Sequence, residues 1–229
     1  MALAMFFLFS NGFRDSSTIV ATIVSTRILT PNIAFLLCSL FEFIGALFLG
    51  SAVATTIGRG LFAQELQAAR ADVFLVLTVA LGAAIGWGIL SWWRVWPTSN
   101  SHALLGGLTG SGWALWGLHH IHNKLVALVV FILIASPFFG FFISIFVTGI
   151  LRWIGGWFTV RVKPVAEVFH VLSCLCVASA HGSNDGQLIM GVLLPVIACV
   201  PTAEFPVPLR MMVASALSAG VLLGGPAHS

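Results

Sequence analysis

Long apolar runs broken by short polar punctuation fill this chain from end to end. Residues 33–57, 73–93 and 125–151 are continuous apolar stretches. Each is close to or above the roughly 20 residues a membrane-crossing helix takes. Residues 1–10 and 17–25 are apolar too, but Asn11-Gly12-Phe13-Arg14-Asp15-Ser16 separates them. Residues 165–180 lead into a second polar group, His181-Gly182-Ser183-Asn184-Asp185-Gly186, and 188–200 and 207–223 follow, divided by Pro201, Pro206 and Pro208. Barrel strands alternate apolar and polar positions. These runs do not alternate, so the pattern predicts helices, with a break or two half-helices at the first polar group.

The connections carry their own signals. Residues 59–72 read as a surface link. Gly82, Gly86 and Gly88 lie within an apolar run and favour close helix packing in lipid. Trp92, Trp93 and Trp96 with Arg94 resemble an interfacial belt. Pro97-Thr98-Ser99-Asn100-Ser101-His102 precedes a short Gly-rich helix over 103–118, and His119-His120-Ile121-His122 forms a polar turn after it. Ser136-Pro137 predicts a kink. Residues 152–163 hold Arg152, Arg161 and Lys163 with no acid, the signature of a cytoplasmic loop.

Composition sharpens the class. Of 229 residues, 59% are hydrophobic and 7% charged, and the mean hydropathy is +1.06. A soluble domain carries about 25% charged residues. The chain is therefore read as an all-α, polytopic membrane protein with about seven or eight spans. Ten Lys and Arg, dispersed along the chain, exclude a nucleic-acid surface. Cys38, Cys174, Cys176 and Cys199 sit in apolar runs at spacings that suit buried hydrophobes. The apolar start runs into the first motif without a cleavable-signal pattern. No nucleophile–base group, P-loop or dinucleotide fingerprint is present, so the chain is not read as an enzyme and needs no cofactor.

Candidate chemistry sits in the polar interruptions. Each motif places a Gly and an Asp three residues apart inside apolar sequence. A carboxylate at membrane depth costs about 2.5–3.5 kcal/mol on insertion scales, so it marks function by default. An unwound turn there exposes backbone groups, and Asp adds an oxygen ligand for a hard cation such as Na⁺. The alternative is a pair of ordinary turns outside the bilayer. The 97–102 segment is either a polar hairpin turn or a re-entrant tip whose hydroxyls and helix N-terminus suit an oxyanion. Glu42, in mid-span, serves either a buried structural pairing or a proton or cation role. Glu167 reads as a structural partner of the basic loop. The His119, His120 and His122 group fits no common metal-ligand spacing.

These residues carry a resemblance. Asn11–Asp15 with the following Val20–Pro31, the Glu-bearing Phe41–Ala46, the hairpin around Pro97–Gly107, and Ala180–Gln187 are similar, in that order, to the signatures of the inorganic phosphate transporter (Pit-type phosphate permease) family. The resemblance implies an inverted-repeat carrier of inorganic phosphate, coupled to Na⁺ or H⁺, in the bacterial inner or plasma membrane. Its first repeat would cover about residues 1–150 and a partial second repeat about 165–229. Carried over by position, Asn11, Asp15 and Asp185 would bind the cation. Thr98, Ser99, Ser101 and Asn184 would bind phosphate, and Glu42 and His102 would support coupling. Arg14 stands where a smaller polar residue or His is usual. Family members continue past the second signature with another hydroxyl-rich hairpin. The sequence thus also fits a fragment or split subunit completed by another copy or a complementing chain. A carrier for a related oxyanion such as sulfate is the third reading.

Overall fold

The computed structural model describes residues 1–48, 50, 54, 70–117, 123–197 and 205–224. Seven helices are bounded within them: α1 Ala2–Ser25, α2 Pro31–Phe48, α3 Arg70–Trp93, α4 Asn100–Trp116, α5 Asn123–Gly155, α6 Lys163–Ile197 and α7 Val207–Gly224. A short 3₁₀ turn, Val160–Val162, precedes α6. Among the described residues there is no strand, and five helices are long and apolar enough to cross a membrane. The chain is an all-helical, multi-pass membrane protein, and the span number of seven or eight is not reached by this criterion. The 59–72 link, the His119–His122 turn and Cys199 fall wholly or mostly outside the described residues.

Local chemistry sets the helix ends. Pro31 opens α2 at a position where its missing N–H costs nothing. Ser99 caps α4, its side chain accepting from the His102 backbone N–H. Gly117 ends that helix with φ of +85°, a conformation open to glycine. At the end of α3 the Trp96 N–H reaches the Ser91 carbonyl (2.9 Å) and the Val95 N–H reaches Trp92 (3.2 Å). This is a Schellman closure, with Val95 at φ +55° where glycine is usual.

Two expectations about continuity are corrected. α1 runs unbroken through Asn11–Ser16, and α6 runs unbroken through His181–Gly186 and on across Pro195 to Ile197. Neither motif is an unwound turn. On a continuous helix the polar side chains need no break: Asn11, Ser16 and Asp185 are buried within the bundle, and the backbone satisfies itself.

The tightest packing pairs α1 with α7, α2 with α6, and α3 with α4, while α2 also meets α7. The core falls into two apolar clusters. One joins Phe7 and Leu8 of α1 with Leu104, Ile189, Met190 and Leu217. The other joins Ile19 and Ile23 of α1 with Cys38, Cys174 and Ala178. Early α1 and late α6 share the first cluster, and late α1 and early α6 share the second. The two helices therefore run antiparallel. Both motifs lie in the layer between the clusters. α5 stands apart, with none of its apolar span buried, and presents Phe138, Phe139 and Phe142 outward. That is the exposure of a lipid-facing helix.

Candidate functional site

Four glycines let the helices close around the middle layer. A Cβ on Gly12 would meet the Leu217 carbonyl, and one on Gly182 would meet the Glu42 carbonyl. On the facing helices, Gly220 lies against the Phe9 carbonyl and Gly45 against the Ser179 carbonyl. Backbones at this separation bring short polar side chains into direct contact.

The polar centre forms where α1 and α6 cross. One helical turn separates Asn11 from Asp15 on α1, and His181 from Asp185 on α6, so each pair shares a face. The pairs interlock. Asn11 Nδ2 donates to Asp185 Oδ2. His181 Nε2 stands 3.5 Å from Asp15 Oδ2 and 3.5 Å from Asp185 Oδ2. Its other ring nitrogen, Nδ1, pairs with Glu42 Oε1 on α2. Glu42 is fully buried and Asp185 is 6% exposed. Asn184 Nδ2 donates to Asp185 Oδ1 (3.1 Å). A single imidazole thus meets three carboxylates.

Three of these groups, Asp15, His181 and Asp185, each offer a ligand atom within 4.8 Å of the others. The buried Asn11 Oδ1 and Glu42 Oε2 have no hydrogen-bond partner among the described residues. Oxygen atoms left without donors in a carboxylate-rich layer suit a cation, which needs acceptors only. A protonated imidazole can meet the same need from within.

The 97–102 segment reaches this layer through one residue. Asn100 Nδ2 donates to Asp15 Oδ2 (3.2 Å), and Asn100 Oδ1 accepts from Arg14 Nη1 (2.8 Å). Thr98, Ser99 and His102 instead line an open recess with Trp87. There Thr98 Oγ1 accepts from Trp87 Nε1 (2.6 Å), and His102 Nδ1 pairs with Ser99 Oγ (2.6 Å). Ser101 is half-buried. The candidate cation residues Asn11, Asp15 and Asp185 therefore converge with Glu42 and Asn184, while Thr98, Ser99 and His102 form a second polar group on the hairpin.

Arg94 stacks over Trp93 and Trp96, at 5.1 and 5.7 Å from the ring centroids. The adjoining Ser91 and Asn100 touch Arg14, near the midpoint of α1. These aromatics thus stand at and just beyond the C-terminal end of α3, next to the residues that touch Arg14. Glu167 pairs with Lys163 at 3.7 Å, the structural role expected of it. Cys38 and Cys174 are buried free thiols, and Cys176 is a free, exposed one.

Sequence reasoning passed over His181, Asn100 and Ser91. The signal for His181 was available: it lies four residues before Asp185, as Asn11 does before Asp15. Asn100 sits between two hydroxyl residues with no feature to separate it from them.

A family model described as the phosphate transporter family matches residues 11–227. A probable low-affinity inorganic phosphate transporter of Rhizobium meliloti is 34% identical, over 98% of this chain and 67% of the relative. One of Streptomyces halstedii is 40% identical over 61% of this chain and 63% of the relative. One of Mycobacterium tuberculosis is 34% identical over 97% and 54%. The chain thus spans between about half and two thirds of these relatives. Among solved structures, one titled the sodium-dependent phosphate transporter superposes with a TM-score of 0.78 over 98% of this chain and 74% of that one, at 20% identity, which shows a shared fold. By the family match and this identity, the chain belongs to the phosphate transporter family.

Proposed function

We propose that the chain carries out, or forms the core of, secondary active transport of inorganic phosphate coupled to Na⁺ or H⁺. The observation that carries this reading is the interlocked Asn11–Asp185 and Asp15–His181 crossing, set between two apolar clusters. Ionisable groups at such depth are costly and mark ion pathways. Asn11, Asp15 and Asp185 bind the coupling cation in this reading, with Glu42 and His181 holding the balance of charge. The hairpin hydroxyls Thr98, Ser99 and Ser101, with Asn184 and the coupling residue His102, serve the anion.

We further read the chain as one domain over residues 1–229, with repeats at about 1–150 and 165–229. The support is reciprocity. One sequence offset relates Phe9, Asn11, Gly12 and Asp15 to Ser179, His181, Gly182 and Asp185. A second relates Glu42 and Gly45 to Leu217 and Gly220. Every close approach named above maps onto its counterpart under this exchange. Antiparallel α1 and α6 fit inverted repeats about an axis in the membrane plane.

A second reading is a subunit completed by another copy or a complementing chain. Asn184, the counterpart of Arg14, is exposed. No described hairpin covers it as Asn100 covers Arg14.

The test is labelled phosphate uptake by this chain in cells lacking their own phosphate carriers, with and without a Na⁺ or H⁺ gradient. Gradient-driven uptake that Asp185→Asn or Asp15→Asn abolishes, with insertion intact, is expected. Wild-type rates in both variants would remove the site assignment. Uptake only with a co-expressed complementing chain would establish the second reading. Sulfate outcompeting phosphate would change the substrate.

A further inference from the structure

Among the described residues, Arg14 is the charged residue of the middle layer that stands outside the carboxylate–imidazole cluster. Its guanidinium is seated on the hairpin. Nη1 donates to Asn100 Oδ1 at 2.8 Å and Nη2 to Ser91 Oγ at 3.5 Å. The seat is cut to size, because a Cβ on Gly88 would lie 2.6 Å from Nη1. Among the described residues, the ion pairs belong to His181 and to Lys163, and none to Arg14. The neighbouring Asp15 is engaged by Asn100 and His181 instead.

A guanidinium presents five N–H donors. Two are met here, both by neutral oxygens. Asp15 attracts the guanidinium only at longer range, with no carboxylate at ion-pair distance among the described residues, and a charge so placed in a membrane helix is costly and faces a partner or a substrate pathway. Beside it lies a cleft of about 30 Å³, bordered by Phe7, Ser10, Asn11, Gly88 and Asn100. That is room for a water-sized group, which is also the size of one oxygen of an oxyanion.

We propose that Arg14 is the fixed counter-charge of the anion seat, donating to an oxyanion oxygen that enters this cleft. The inference rests on the phosphate-transport reading and adds to it a specificity-determining residue. Arginine suits the task because its planar fork binds phosphate and stays charged. Tethered by Asn100 and Ser91, it keeps that fork aimed without closing it. A resident positive charge also lowers the number of mobile cations the site must gather before the anion binds. The nearby titratable groups are Asp15 on α1, Glu42 on α2, His181 and Asp185 on α6, and His102 on α4, so the decisive measurements are made at one fixed pH.

The experiment compares wild type, Arg14→Gln and Arg14→Lys for phosphate KM, saturated rate and cation half-saturation, each normalised to carrier in the membrane. In Arg14→Gln, phosphate KM is expected to rise about ten- to hundredfold, the worth of a charge-assisted hydrogen bond. The saturated rate should fall far less than KM rises. Arg14→Lys keeps the charge but loses the fork, so its KM should fall between those of wild type and Arg14→Gln. Unchanged KM in Arg14→Gln, with only less carrier or a slower rate, would make Arg14 a tie between α1 and the hairpin and overturn the proposal. Should Arg14→Gln fail to insert, Arg14→Lys decides alone: a KM within a few fold of wild type supports the fixed charge, and a loss as large as that expected of Gln overturns it. Absence of wild-type uptake both alone and with a co-expressed complementing chain refutes the transport reading itself, which separates the two failures.

Discussion

At the scale of single residues, two kinds of position matter in the middle layer: polar side chains that meet, and glycines that let them meet. Gly182 and Gly12 face backbone carbonyls rather than flexible side chains. A methyl group there cannot be absorbed by a rotamer change. Gly182→Ala and Gly12→Ala are each expected to destabilise the helix crossing by about 1–3 kcal/mol, read as a lower thermal midpoint in detergent. Because the two contacts are reciprocal, the two variants should behave alike. A large loss in one and none in the other would contradict the equivalence. His181 differs in kind from its counterpart Asn11, since only an imidazole can carry a proton. His181→Gln should therefore weaken H⁺-driven uptake more than Na⁺-driven uptake, measured under imposed gradients of each ion.

At the scale of elements, the α3–α4 hairpin is the part most exposed to small changes. Its tip ends in a left-handed Val95, a conformation that costs an L-residue about 1–2 kcal/mol. Val95→Gly is expected to recover about 1 kcal/mol, seen as a raised thermal midpoint. Unchanged or lowered stability would show that the closure does not limit the fold. The hairpin meets α1 through Asn100 and Arg14 alone among the polar contacts described. Backbone relief at its tip should leave that junction intact, and phosphate KM should stay put.

At the scale of the whole molecule, the chain divides into a packed body and one outlying helix. α5 buries none of its apolar span, and its Phe139 is 68% exposed. In a bilayer that face is covered by lipid, so it needs no protein partner to be stable. Phe139→Ala should leave thermal stability nearly unchanged. Phe139→Lys places a charge near the helix centre at about 2.5–3.5 kcal/mol, and is expected to cut membrane insertion, measured by fractionation. Equal insertion of the two variants would mean that α5 does not cross the membrane as read here.

The sequence by itself determined the class of this protein. Its apolar runs are too long and too free of charge for any fold but membrane helices, and its acids in mid-run mark a site because charge at that depth is costly. Asp15 and Asp185 stood out for that reason, and the structure brings them together with Asn11. What the sequence could not decide was whether the motifs break their helices, because Gly and Asn serve a tight crossing as well as a turn. Only the tertiary structure resolved this: the glycines at α1 and α6 admit neighbouring backbones, so both helices continue. The same packing made His181 the hub of three carboxylates and drew Asn100 and Arg14 into the layer. Those are contacts between distant segments, and no local pattern of hydropathy records which polar residue a fold will turn towards its neighbour.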